Sequence, residues 1–282
     1  MRSVRRRSQM PSSVADKVIQ WRSLGRVLLF LLGCAFLLAV TASLPIGQRS
    51  PLQALIIGSI AGFGSLALTV LFVRWDGLRL RDVGAMPNGN SLVLLAIGFA
   101  FGLFLVALHS LLVGVAGHTH WVRVASPTAY QASLVIIGFL FLSAREELAF
   151  HGYPLRRLQV LLGVWGAQAT IAAVFALEHM AGGWALAQAL WGAGIGSLLF
   201  GMASIATRGL AVPIGIHAAW NVGDWMRGNR SEPGVWRPEI DKGFEGTAFW
   251  TGIWTYVVIM ALATICFWCW HRAREAEYAR DA

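Results

Sequence analysis

Runs of about 20 apolar residues recur along almost the whole of this 282-residue chain, at 26–46, 52–73, 91–116, 131–155, 162–182, 186–206, 210–226 and 248–270. Such a run is what ~30 Å of hydrocarbon asks of an α-helix. Charge is correspondingly scarce, 13% of residues against the roughly 25% usual in soluble domains. The expectation is an all-α fold: a polytopic membrane protein with about eight transmembrane helices, embedded in the lipid bilayer. The chain then divides into a basic arm (1–25), N-terminal helices (26–128), a core holding the chemistry-bearing motifs (129–226), a loop outside the membrane (227–247), and a last helix with its tail (248–282). The first run follows "MRSVRRRSQMPSSVADKVIQWR" without a small-residue cleavage site, so it reads as a retained helix and not a secretory signal.

Orientation follows from the basic residues, because cytoplasmic loops carry the excess of Lys and Arg. With the N-terminus inside, all 23 basic residues fall on the cytoplasmic side except Arg49, Arg123, Arg227, Arg230, Arg237 and Lys242. Both termini are therefore expected in the cytoplasm. The net charge of +9 reads as this bias plus attraction to anionic lipid headgroups, and nucleic acid is not an expected partner. Arg greatly outnumbers Lys, since Lys17 and Lys242 are the sole lysines. That fits a GC-rich bacterial genome and places the protein in a bacterial inner membrane. Cys34, Cys266 and Cys269 lie inside apolar runs and read as small packing residues. The "CFWCWH" segment has Trp270 where a haem-attachment motif needs His.

Polar residues inside the runs carry most of the information, since an ionised side chain at a helix centre costs ~2.5–3.5 kcal/mol on the insertion scale. Three clusters stand out: Glu146, Glu147 and His151 in "SAREELAFHG"; Phe175, Glu178 and His179 in "FALEH"; and His217, Asn221 and Asp224 in "HAAWNVGD". Residues four apart share a helix face, which pairs Glu147 with His151, Phe175 with His179 and His217 with Asn221. Counted at 1.5 Å per residue from Arg156 and Arg208, taken as interface anchors, Glu146 and His217 reach similar depth in the cytoplasmic half of the membrane. The lone His109 reads as a packed or interhelically bonded histidine. Glu178, about 100° around the helix from His179, reads as a lipid-interface or supporting group. Pro154 should kink or widen the helix near Phe150.

These residue types suit hydrolysis of an amide. A water held between a Glu and a His is a nucleophile, and a second His with an Asn supplies donors to a developing oxyanion. No Ser or Cys sits at helical spacing from these histidines as a covalent nucleophile, and H-E-x-x-H is absent.

In that order on successive helices, "EELAFH", "FALEH" and "HAAWN" resemble the E-E-x-x-x-R, F-x-x-x-H and H-x-x-x-N motifs of the CPBP family of intramembrane proteases. This family includes the CAAX prenyl endoproteases and relatives linked to bacteriocin self-immunity. The resemblance implies an endopeptidase acting on a peptide or membrane-protein substrate near the cytoplasmic face. Glu146 and His179 would activate water, Glu147 would support the site, and His217 and Asn221 would form the oxyanion hole. The family is often called a metalloprotease family, yet its motifs also permit a metal-free glutamate mechanism. A divalent ion such as zinc would take Glu146, His179 and His217. The motif arginine is replaced by His151, which can still pair with Glu147 across one turn. Two other classes of function remain open: an immunity or peptide-binding protein that uses the same cavity without cleaving, and a transporter relaying protons through the buried Glu and His.

Overall fold

The computed structural model describes residues 14–44, 51–229 and 234–281. Most of the basic arm lies outside the described residues, as do Arg49, Arg230 and Glu232. In chain order the helices are α1 (Val14–Ala42), α2 (Pro51–Trp75), α3 (Ser91–Ala116), α4 (Ala129–Glu146), α5 (Tyr153–Ala181), the short α6 (Leu186–Gln188), α7 (Ile195–Thr207), α8 (Ala211–Met226) and α9 (Glu245–Asp281). Wide π-helical turns at Glu147–Gly152 and Ala189–Gly194 join α4 to α5 and α6 to α7. The all-α expectation holds but for one short ribbon. Strand β1 (Thr119–Arg123) pairs antiparallel with β2 (Trp236–Ile240), with Trp121 opposite Pro238.

Among the described residues six helical stretches are long and apolar enough to cross a bilayer, not eight. One reason is α8, whose 16 residues rise only about 24 Å. The other is that the expected spans at 131–155 and 162–182 belong to one helical stretch of 53 residues, Ala129–Ala181. That stretch is broken at Gly163, whose φ of 70° and ψ of 179° suit a residue without Cβ. The chain folds back there, because the rings of Phe150 and Phe175 lie 5.0 Å apart, far closer than 25 residues of straight helix would allow.

Close approach of α3 and α8 fixes the centre of the bundle. A Cβ on Gly215 would stand 2.3 Å from the Leu95 carbonyl oxygen, and one on Gly98 would stand 2.3 Å from that of Val212. Small residues allow such contact in a bilayer, where helices associate by packing and interhelical hydrogen bonds. Gly58 likewise admits α4 against α2, next to Gly138 and Phe141. One apolar core gathers around Phe30, Phe72, Tyr153 and Phe175, and another around Leu199, Phe200, Ile216 and Met260.

Two ends of the bundle can be told apart. Ser23 near the start of α1 receives a hydrogen bond from Arg157 at 2.7 Å, while Arg274 near the end of α9 donates to the Ala206 carbonyl at 3.0 Å. The start of α1, the end of α2, the α7–α8 junction and the end of α9 therefore share one end. The β1–β2 ribbon, the end of α8 and the start of α9 form the other. At the first end the buried carboxylate of Asp76 accepts from Tyr153 Oη at 2.9 Å and pairs with Arg157 Nε at 2.9 Å and with Arg26. It ties α1, α2 and α5 together. Breaking a buried charge cluster by removing one partner costs about 3–5 kcal/mol. Asp76→Ala is therefore expected to lose stability on that scale in thermal unfolding of the purified protein, with Arg26 and Arg157 left unpaired.

Candidate active site

The carboxylates of the first motif sit where α4 gives way to the π-helical turn. Pro154, at the second position of α5, cannot donate to a preceding carbonyl, and the helix widens over Glu147–Gly152 just ahead of it. Wide turns of this kind re-aim side chains at functional sites. The result is a chain of buried contacts in which carboxylates and imidazoles alternate. Glu146 Oε2 lies 3.3 Å from His217 Nε2, and His217 Nδ1 lies 2.9 Å from Glu147 Oε1. Glu147 Oε2 lies 2.8 Å from His151 Nδ1, and His151 Nε2 lies 2.9 Å from Ser197 Oγ on α7. The side chains of Glu147 and His151 are fully buried. Their contact is an ion pair by distance but not a hydrogen bond by angle. Phe200 stacks on the His217 ring at 4.3 Å and 10°, holding it edge-on to both glutamates.

The four residues Glu146, Glu147, His151 and His217 are thus brought into direct contact. Asn221 lies one turn beyond His217 on α8, and its Nδ2 donates to Ser143 Oγ at 3.2 Å. His179 approaches from α5 and touches neither glutamate through a hydrogen bond of its own. Its Nδ1 donates to the Phe175 carbonyl at 2.9 Å. A carbonyl can only accept, so the proton on that contact is at Nδ1 and Nε2 is left to face the cavity. Phe175 packs at 4.5 Å from the His179 ring and 5.0 Å from that of Phe150.

Two charged residues beside the motifs complete the cluster. Arg145, counted among the cytoplasmic basic residues, is 5% exposed. Its Nη2 donates to Glu146 Oε1 at 2.6 Å and its Nη1 to Glu178 Oε1 at 2.8 Å. Glu178, expected at a lipid interface or in support, is the counterion on α5. Each is the immediate neighbour of a motif residue, Glu146 and His179. Ser143, Ser197 and Gln168 were missed in the sequence. For Ser143 a signal existed, since 143, 147 and 151 follow one helix face. Gln168 fills the place where a Cβ on Gly201 would go, 2.1 Å from its Oε1.

A cavity of about 550 Å³ adjoins the cluster, with His179, His217 and Asn221 on its wall. Glu146 and Glu147 are behind His217 and do not line it. The cavity continues past Trp184, Asp224, Arg227, Asn229 and Phe249, and so opens toward the ribbon end of the bundle. The cluster itself lies at the deep end of the cavity: His217 is six residues from the start of α8 and nine from its ribbon end. Of the two arginines used for the depth count, Arg156 donates to the Ser204 carbonyl at 2.7 Å, and Arg208 is exposed at the α7–α8 junction with its guanidinium over the Tyr278 ring. His109 is interhelically bonded as expected. Its Nε2 donates to the Gly252 carbonyl at 3.0 Å and its Nδ1 accepts from Arg227 at 2.7 Å.

Residues 128–223 match the family model described as Type II CAAX prenyl endopeptidase Rce1-like. This is the family that the motifs resemble. The match covers roughly a third of the chain and contains all three motifs. Beside this local similarity stand the six helical stretches, among the described residues, that are long and apolar enough to cross a membrane. No curated protein matches the chain.

A resident metal ion does not fit the donors as they stand. Among the described residues no group of three His, Cys, Asp or Glu side chains is placed to hold one. Both oxygens of Glu146 and of Glu147 already face Arg145, His217 or His151, and a cation at Glu146 would meet the Arg145 guanidinium. The metalloprotease expectation is accordingly withdrawn.

Arg145 is the one permanent cation paired with Glu146 and Glu178 among the described residues. Leaving buried charges uncompensated costs about 3–5 kcal/mol. Arg145→Ala should therefore destabilise the purified protein on that scale, and adding Glu178→Gln should recover part of the loss by removing one stranded charge. Additive losses in the double variant would show that the pair is not coupled.

Proposed function

We propose that the protein is an intramembrane endopeptidase in which water, activated by Glu146 and His179, attacks a peptide carbonyl. The observation that carries this reading is the convergence of the three motifs: His179, His217 and Asn221 line one cavity, and His217 contacts Glu146 and Glu147 directly behind it. Glu146 takes the proton of the attacking water as the oxygen bonds to the carbonyl carbon. The tetrahedral oxyanion is held by N–H groups of His217 and Asn221, donors already fixed in place by Phe200, Glu147 and Ser143. The proton then passes to the departing amine as the C–N bond breaks. Glu147 and His151 act through His217, one holding its Nδ1 and the other holding Glu147.

A second reading has an observation in its favour. In this arrangement Glu146 already has one oxygen on Arg145 and the other on His217, and it is shielded from the cavity. A peptide-binding or immunity protein would have no need to free it. The two readings separate on one residue, because a binder keeps its function when Glu146 becomes Gln and a protease does not.

For the protease, Glu146→Gln and His179→Ala are each expected to abolish cleavage in purified, folded protein. Asn221→Ala should lower kcat by about 10²–10³, the usual cost of one oxyanion donor, with a smaller change in KM. An equal loss in both constants would assign Asn221 to structure.

A further inference from the structure

We infer that the cavity is loaded from the face of the membrane opposite the start of α1 and the end of α9, the non-cytoplasmic face, and that it takes an extended peptide held by its backbone through Asp224 and Arg227. The inference rests on the peptidase reading only for the fate of the peptide, not for its binding.

The route of entry follows from the architecture. From His217 the polar face of α8 continues through Asn221 to Asp224 and then Arg227, and all four line the cavity. This face leads to the ribbon end, where α8 stops and α9 begins. The basic residues are concentrated at the other end: Arg22, Arg26, Arg74, Arg79, Arg81, Arg157, Arg208, Arg272, Arg274 and Arg280 all belong to segments that meet there. Basic excess marks the cytoplasmic side, so the mouth of the cavity faces the other way.

The chemistry at the mouth selects the ligand. Arg227, 5% exposed, donates Nε–H to the Gly223 carbonyl, both hydrogens of Nη1 to His109 and Ser110, and one hydrogen of Nη2 to Asp224 Oδ1 at 2.7 Å. Among the described residues that leaves one N–H of its five, beside the second carboxylate oxygen of Asp224. A donor and an acceptor side by side match the C=O and N–H of an extended peptide backbone, as a strand edge does. The bound histidine and serine keep the guanidinium from turning away. Beyond the pair the cavity is walled by Trp184, Trp220 and Tyr256, which suits bulky apolar side chains.

The test uses the full chain with Cys34, Cys266 and Cys269 replaced by Ala and one new thiol at the cavity mouth, Gln188→Cys. Cells and inverted vesicles are treated with a membrane-impermeant thiol reagent. The probe is an end-blocked Leu- and Phe-rich peptide, compared with the same peptide N-methylated on its backbone. We expect labelling in intact cells, protection by the plain peptide, and protection weaker by about tenfold for the N-methylated peptide, the size expected for one lost hydrogen bond to a charged group. Asp224→Asn, which must turn an amide N–H outward if its oxygen stays on Arg227, should weaken protection to the same degree. Labelling confined to inverted vesicles overturns the route of entry. Absent protection, or protection indifferent to N-methylation and to Asp224→Asn, overturns the backbone recognition. Failure of the peptidase reading shows separately, as a peptide that protects the thiol and is never cleaved.

Discussion

Burying three carboxylates in the interior of a membrane protein is the constraint on which the site depends. Each ion taken out of water costs several kcal/mol unless partners replace its hydration, and Glu146, Glu147 and Glu178 lie within reach of one another's partners. The cluster meets this by alternation. Arg145 stands between Glu146 and Glu178, His217 between Glu146 and Glu147, and His151 closes the line at Ser197. Because the partners come from α4, α5, α7 and α8, satisfying the charges also fixes the relative placement of four helices. The wide turn ahead of Pro154 is the local device that presents both adjacent glutamates inward, where a regular helix would set neighbours about 100° apart.

Orientation of the groups limits what chemistry the site can do. His179 is held by its own helix, with Nδ1 on the Phe175 carbonyl, and its other nitrogen is directed at the cavity. His217 is held on both edges by carboxylates and on its face by Phe200. Both rings are thus positioned before any substrate arrives, which is what electrostatic stabilisation of a transition state requires. Glu146 is the member that must change contacts for a water to reach it. The tie to Arg145 therefore makes the resting site stable and the reactive arrangement a departure from it.

Much of this was legible in the sequence, for physical reasons that also explain the rest. The apolar runs gave the membrane-spanning fold, because length and hydropathy are all that a lipid-facing helix needs. The four-residue spacing gave the faces that carry Glu147 with His151 and His217 with Asn221. The two spans expected between Ala129 and Ala181 form one helical stretch broken at Gly163, a position inside the second expected span, while α8 proved too short to count by length alone. Arg145 escaped because a helix-end arginine looks the same in sequence whether it faces lipid headgroups or a buried acid. Asking which cation neutralises the glutamates would have found it. The β1–β2 ribbon left no strong signal, being two five-residue strands with 112 residues of chain between them.

The central claim is that an activated water, with no covalent enzyme intermediate, attacks the peptide bond at this buried carboxylate cluster. It is tested most directly by single-turnover hydrolysis with the purified protein in ¹⁸O-labelled water containing hydroxylamine. The account predicts one solvent oxygen in the new carboxyl terminus of the product and no hydroxamate. A hydroxamate product would reveal an acyl-enzyme and contradict it, as would the absence of any new terminus from substrate shown to occupy the cavity.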